Sequence, residues 1–306
     1  MASFNGNVTF LGVGNMGTAA IQALRKASHP VTIWNRTKSR PQVQAAIDAG
    51  ATFEPDLAQA LSRSGVIVLC LLDYATITKI FSSIGEPGAV LKGKSVINLT
   101  NGTPKEAREM ETYFTSLGTI VYLDGAIMVT PQMVGGPHAF LFLSGGQGST
   151  ETPDGATSRL VELVSPIGKP DYLGADVGAA SRYDLASLAP MYGMFAGGFL
   201  GMALLKRGNP NAKLVPVVQE KIVPMIAALV PYMTGIARAW DAEDWVENDG
   251  NPVGMMAVGV QNILAAAADE GVDGTVLEEF GGLMEKVERD HGYDAGIAAV
   301  GTYLMK

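Results

Sequence analysis

The chain has 306 residues, 47% of them hydrophobic and 17% charged, with 30 acidic against 22 basic side chains for a net charge of −8. That acidic balance, without a concentrated basic patch, argues against a nucleic-acid partner, and the length is enough to bury a full core without disulfides. With a single cysteine, Cys70, no internal disulfide is possible, and three scattered histidines give no metal-ligand spacing.

The first part of the chain alternates apolar strand-like runs with helical stretches, as βαβ units do. "NVTFLGVG" (7–14) reads as a strand entering a glycine turn, "MGTAAIQALRKAS" (16–28) as a helix and "VTIW" (31–34) as a second strand. "VIVLCLL" (66–72) is continuously apolar, as a strand buried on both faces of a parallel sheet would be. Within it Cys70 is expected to be a buried, inert thiol, and a reducing, cytoplasmic compartment fits. "SVINLT" (95–100), "TIVYLDGAI" (119–127) and "AFLFLSG" (139–145) continue the pattern. In "TPKEAREMETYFTSLG" (103–118), Thr103 suits the cap of a helix, Pro104 its first position and Gly118 its stop. No basic segment followed by an apolar run opens the chain, so no secretory signal is expected.

Beyond about residue 175 the pattern is helical and rich in Ala, Met, Leu and Gly. In 215–240, Pro216, Pro224 and Pro231 are expected to start or bend helices, and 274–292 reads as an amphipathic helix. The predicted architecture is an α/β Rossmann domain over 1–165. A long interdomain helix and an all-α C-terminal domain follow over 166–306.

"GVGNMG" (12–17) fits G-x-G-x-x-G after a strand and at the start of a helix, the context that makes this pattern a dinucleotide site. Gly12 permits the tight turn, Gly14 lets the backbone approach a pyrophosphate, and Gly17 lets helix and strand pack closely. Asn15 and Met16 supply helix-start N–H groups for the phosphates. After the second strand an NAD site would place an acidic residue, but this chain has Asn35, Arg36, Thr37 and Lys38. Cations there suit a 2′-phosphate, so NADPH is the expected cofactor, the alternative being a solvated basic loop. Leu71 and Leu72 at the end of the 66–72 strand join the candidate cofactor set.

Residues 185–205 carry no charge. Three readings compete: a membrane span, a helix buried between domains or subunits, and a catalytic helix. Pro190, Gly193, Gly197, Gly198 and Gly201 interrupt the run, and no other segment looks comparably uncharged, so burial is preferred to a span. Asp184 heads the run, where it reads either as a helix cap or as a buried functional carboxylate. Tyr192 reads either as a core aromatic or as a second wall residue of the same cleft.

At these residues the chain resembles the imine reductases, and most closely the fungal reductive aminases, within the β-hydroxyacid dehydrogenase superfamily. The resemblance covers nearly the whole chain. It is carried by "GVGNMG" with "WNRT" (34–37), "NLTNGTP" (98–104), "GAIMVTP" (125–131), "SRYDLASL" (181–188), "MYGMF" (191–195) and "GVQNILAA" (259–266). The superfamily's catalytic lysine is missing from "GAASRYDLAS" (178–187), where Arg182 falls at its spacing when no gap is allowed. The resemblance implies Asp184 as the charged partner of a substrate nitrogen, with Tyr192 beside it. It also implies Asn101 between cofactor and substrate, and Ile127 and Met128 near the nicotinamide. Met225 stands where reductive aminases often carry tryptophan, and Met256 where they often carry glutamine. With Met191 and Met255 they form a candidate substrate wall, core packing being the alternative for such methionines. An interlocked homodimer acting on a small imine, or on a carbonyl plus an amine, is implied. A reductase of C=O and a non-catalytic NADP-binding dimer remain the competing functions.

Overall fold

The computed structural model describes residues 6–148, 153–245 and 250–305. The chain divides into two compact units, Met1–Ala189 and Pro190–Lys306.

The first unit is built on an eight-stranded sheet in the order β3-β2-β1-β4-β5-β6-β7-β8. The strands are β1 Val8–Leu11, β2 Val31–Trp34, β3 Thr52–Phe53, β4 Val66–Leu69, β5 Ser95–Asn98, β6 Val121–Ile127, β7 Phe140–Gly145 and β8 Lys169–Tyr172. Between and after them run α1 Asn15–Lys26, α2 Pro41–Asp48, α3 Leu57–Ser62, α4 Tyr74–Ser82, α5 Pro87–Leu91, α6 Pro104–Ser116, α7 Gly155–Val164 and α8 Gly178–Gly208. β1 to β6 pair in parallel, each crossover carrying a helix or a helical pair.

Alternate residues on a strand face opposite sides, and here both sides are covered. Val8 and Phe10 of β1, with Val66 and Val68 of β4, enter one apolar cluster with Ile21 and Leu24 of α1. Leu11, Ile67 and Leu69 enter the other, with Phe81 of α4 and Phe114 of α6. That two-sided burial explains the unbroken apolar character of 66–69. α6 forms as its sequence predicts. The Thr103 side chain accepts from the Glu106 N–H, Glu106 reaches back to the Thr103 N–H, Pro104 occupies the first turn and Gly118 adopts φ +84° just past the end.

β7 departs from the parallel pattern. It runs antiparallel to β6, because the connection between them holds only a 3₁₀ turn, Pro131–Met133, and no crossover helix. β8 then pairs in parallel with β7 after α7. The sheet therefore extends past residue 165, and the boundary predicted there moves to Ala189/Pro190. β8 hydrogen-bonds into the sheet, and Val177, Ala179, Ala180 and Ser181 are buried within the first unit.

The second unit is helical. After the remainder of α8 come α9 Leu214–Val217, a π-helical turn Val218–Ile222, α10 Val223–Leu229 and α11 Tyr232–Asp241. α12 Val253–Glu270, α13 Thr275–His291 and a 3₁₀ helix Ile297–Tyr303 follow. Pro224 lies in the first turn of α10 and Pro231 caps α11, as proline's missing N–H favours. The core of this unit gathers Val253, Val260, Met284, Val287, Ile297 and Val300. The Trp240 indole N–H donates to the Ala298 carbonyl at 3.0 Å, closing α11 onto the 3₁₀ helix.

Two helical stretches, Gly178–Gly208 and Leu214–Asp241, are long and apolar enough by composition to cross a membrane, so 185–205 is not unique in this respect. Nor is it buried within a single chain. Tyr192 is 62% exposed and Phe199 67%, and Met225, Leu229, Val230 and Met233 of the following helices are exposed as well.

Candidate active site

A cleft of about 750 Å³ opens at the carboxyl ends of β1 and β4, where the strand order reverses and ligands bind in sheets of this kind. The glycine loop forms one lip. Gly12 adopts φ +98°, and a Cβ there would stand 2.2 Å from the Cys70 carbonyl oxygen. A Cβ on Gly17 would lie 2.0 Å from the Gly12 oxygen, so α1 can approach β1 only with glycine at that position. Gly14 is the opposite case: a Cβ there would meet nothing within 4 Å. It faces open cleft, where a ligand's backbone contact would fall. Gly14 is also the N-cap of α1 and provides no side-chain hydrogen bond. The first N–H groups of α1, on Asn15, Met16 and Gly17, have no intrahelical partner and form an anion cradle.

The basic lip follows β2. The Asn35 side chain accepts from the Val13 N–H at 3.1 Å and donates to the Thr37 carbonyl at 2.8 Å. Asn35 thus ties the two lips together through its amide. Arg36 and Thr37 line the cleft beside it, as do Leu71 and Leu72 from the β4 end. Lys38 is the exception among the predicted cofactor residues. Its ammonium lies over the Phe53 ring at 5.3 Å, and it is not among the residues lining the cleft. The aromatic face on β3 holds its charge outside the site. Cys70 lies on the cleft floor, where burial pushes its thiol up to about 12, as expected for an unreactive thiol.

A second arrangement lies beyond the end of β5. The Asn101 amide donates to the Asp184 carboxylate at 2.6 Å across 83 positions of sequence. The loop carrying Asn101 is tied to the cleft, because the Leu71 N–H donates to the Thr100 hydroxyl at 3.0 Å. Asp184 is 2% exposed, and burial pushes its pKa up while the Asn101 bond pulls it partly back. The cap reading of Asp184 is corrected by the extent of α8. That helix starts at Gly178, so Asp184 lies in its second turn, and the Gly178 N–H is held instead by the Asp176 side chain at 3.2 Å. Asp184 is thus a buried carboxylate within the helix, held by the Asn101 amide.

Ile127 ends β6, which runs parallel to β5, Met128 follows it, and both are half-buried. The other predicted residues belong to the second unit. Tyr192 is exposed and meets Phe195 edge-on at 6.4 Å. Met225 and Met255 are exposed and Met191 is half-buried, whereas Met256 packs against the unit's core.

The family described as "NADPH-dependent reductive aminase-like, C-terminal domain" matches residues 176–303, and the "NAD binding domain of 6-phosphogluconate dehydrogenase" matches residues 7–128. Over 287 residues the chain is 31% identical to an NADPH-dependent reductive aminase of Aspergillus oryzae, covering 94% of this chain and 93% of that protein. The chain belongs to the reductive aminase family. Solved relatives include a reductive aminase of Aspergillus terreus in complex with NADPH4, cyclohexanone and allyl amine, with a TM-score of 0.86 and 30% identity over 97% of this chain and 99% of that one. An Aspergillus terreus imine reductase in complex with NADPH4 and dibenz[c,e]azepine superposes with a TM-score of 0.82 at 32% identity over 97% and 98%.

Within this reductive aminase fold the cleft also takes in residues that sequence reading did not single out. Arg40 ends the same basic stretch, "NRTKSR", and lines the cleft where Lys38 does not. Thr76, Lys79, Ile80 and Ser83 line it from α4 and its C-terminal end. Their 3, 4 and 7 spacing marks one helical face, a signal present in the sequence once a helix after the 66–72 strand is recognised. Arg182, at the spacing of the superfamily lysine, is half-exposed and pairs with Asp176 at 3.7 Å.

Proposed function

We propose that this chain reduces C=N bonds to amines with NADPH, including the reductive amination of a carbonyl by an amine. The observation that carries this reading is the buried Asn101–Asp184 pair, one loop away from a dinucleotide cleft with basic residues at its ribose end. The cleft fits NADPH on its own features: open space over Gly14, an uncapped α1 N-terminus and the cations of Arg36, Arg40 and Lys79. NADPH, when bound, supplies the hydride that reaches the substrate carbon.

The chain's own groups do the rest. Asp184 in its ionised form stabilises the positive charge of an iminium and holds the nitrogen's proton near Oδ1, while Oδ2 stays bonded to Asn101. The Asn101 amide fixes the direction of that carboxylate. Tyr192 is assigned the role of a neighbour that positions the substrate. Ile127 and Met128 supply apolar surface in the first unit, and Met191, Met225 and Met255 of the second unit are assigned as candidate substrate contacts. A carbonyl reductase would need a proton donor for an alkoxide. Arg182, which stands at the lysine's spacing, is engaged with Asp176 and is no such donor. The exposed apolar residues of α8, α10 and α11 support a homodimer in which a second copy covers these helices.

The test is NADPH oxidation with a cyclic imine, and with cyclohexanone in the presence and absence of a small primary amine. Turnover with the imine, and with the ketone only when the amine is added, is expected. Equal turnover of the ketone without amine would assign the site to C=O reduction. NADPH binding without any turnover would assign it to a non-catalytic role.

A further inference from the structure

Asp124 is a second buried carboxylate, 1% exposed, that the reaction described above does not use. It stands on β6 and is surrounded by donors. The Tyr74 hydroxyl donates to Oδ2 at 2.5 Å, the Tyr122 hydroxyl at 2.9 Å and the Asn98 amide at 3.0 Å, while the Ser181 hydroxyl donates to Oδ1 at 2.9 Å. Each partner offers hydrogen and none needs to accept one from Asp124, which is the shell an ionised carboxylate requires. A charge buried on a strand between apolar layers costs stability that an apolar residue of similar size would not. Cohesion of the sheet alone therefore does not account for it.

The donors come from elements that carry the Asn101–Asp184 pair. Ser181 lies one turn before Asp184, at the three-residue spacing that places two side chains on one face of α8. The Asn98 side chain, besides donating to Asp124, accepts from the Thr100 N–H at 3.1 Å, at the start of the loop that presents Asn101. The Tyr74 ring is the floor on which that loop rests, since a Cβ on Gly102 would come 2.2 Å from its Cε2. A closed circuit results: Asp124 to Ser181, along α8 to Asp184, across to Asn101, through Gly102 and Tyr74, and back to Asp124.

We infer that Asp124, acting through Ser181, Tyr74 and Asn98, is a positioning residue that sets the placement of Asp184 against Asn101, and so sets turnover. This rests on the imine-reduction reading. Neither Asp124 nor Ser181 touches the reacting atoms. Their effect passes through Asp184, and a misplacement of about 1 Å at such a group costs up to about 10²-fold.

The experiment is a double-mutant cycle. Ser181→Ala removes the link to α8 and leaves the buried charge with its other donors. It is expected to lower kcat for a cyclic imine roughly 10–100-fold with the NADPH Kd unchanged. In an Asp184→Asn background the same change is expected to have almost no further effect, because the residue through which it acts is already disabled. Tyr74→Phe, which breaks the circuit on its other side while keeping the ring under Gly102, is expected to behave in the same way and serves if Ser181→Ala folds poorly. Equal fold losses in both backgrounds would show a merely structural role, and an unchanged kcat in both variants would also overturn the inference. If the unmutated protein reduces no imine, the functional reading fails on its own. Crystal structures then decide the positioning claim: Asn101 and Asp184 should part beyond hydrogen-bond range in Ser181→Ala, and a retained 2.6 Å contact would refute it.

Discussion

Replacing Asp184 by asparagine separates the chemistry of this site from its architecture. The side chain keeps its shape, and its amide oxygen can still accept from Asn101, whose bond to the carboxylate is 2.6 Å long. A hydrogen bond to a charged group contributes about 1.5–3 kcal/mol and a neutral one about 0.5–1.5, so roughly 1 kcal/mol is lost there. Against that, the variant no longer buries a charge in a site that is 2% exposed, and burial is what raises the Asp184 pKa. The two effects offset, and the melting temperature should move by no more than about 2–4 °C. Turnover should not be spared. Losing the one charge that faces an iminium lowers kcat roughly 10–10³-fold, or about 1.4–4 kcal/mol of transition-state stabilisation. NADPH affinity should stay within about twofold, because its cradle lies at α1 and β2. The pH dependence adds a signature. A folded-state pKa raised above its unfolded value means that the native state binds the extra proton, so this group's contribution is fully present at low pH and is lost as pH rises through the carboxylate range. The variant should therefore gain stability relative to the parent as pH rises above about 4. Saturating-NADPH kinetics with a cyclic imine, a thermal melt and a cofactor titration measure all three. An unchanged kcat in Asp184→Asn would refute the assignment.

Gly14→Ala should fold normally, since its Cβ meets nothing within 4 Å, yet lose NADPH binding; Gly12→Ala should fail to fold well, with its Cβ 2.2 Å from Cys70 O and φ at +98°. Comparable melts for the two variants would contradict this. Arg36→Ala should weaken NADPH by about 10–100-fold and leave NADH unchanged, as loss of a charge-assisted contact of about 1.5–3 kcal/mol implies, and equal kcat/KM for both cofactors in the parent would sink the idea. Asp124, pushed up to about 6 by burial, gives the protein more stability below about pH 4 than above about pH 6, by roughly 3 kcal/mol at most, so unfolding curves of the parent and Asp124→Asn should diverge across that window. For the proposed dimer, dilution to nanomolar concentration should destabilise the fold by exposing the apolar faces of α8, α10 and α11, and a mass measurement showing an active monomer would refute it.

Much of this protein is written in short stretches of its sequence. The capped helix at Thr103 is decided by neighbours three or four residues away, the positive φ of Gly12 is a local turn requirement, and the apolar run of 66–69 announces in its composition a strand covered on both faces. The absence of an acid after β2 is local in the same way. What lay beyond reach was decided by packing between elements distant in sequence. Whether Lys38 or Arg40 faces the cleft depends on where the Phe53 ring falls on the neighbouring strand. The reversal of β7 follows from a connection without a helix, and the start of α8 at Gly178 rather than near Asp184 follows from its docking on the sheet through Val177, Ala180 and Ser181. The Asn101–Asp184 contact joins residues 83 positions apart, and the shell of Asp124 draws on Tyr74, Asn98 and Ser181. Side chains of those types occur throughout any chain. Only the parallel register of β4, β5 and β6, with the first turn of α8 docked on it through Ser181, turns them into a buried, fully donated carboxylate whose partner Ser181 lies one helical turn from the residue assigned to the chemistry.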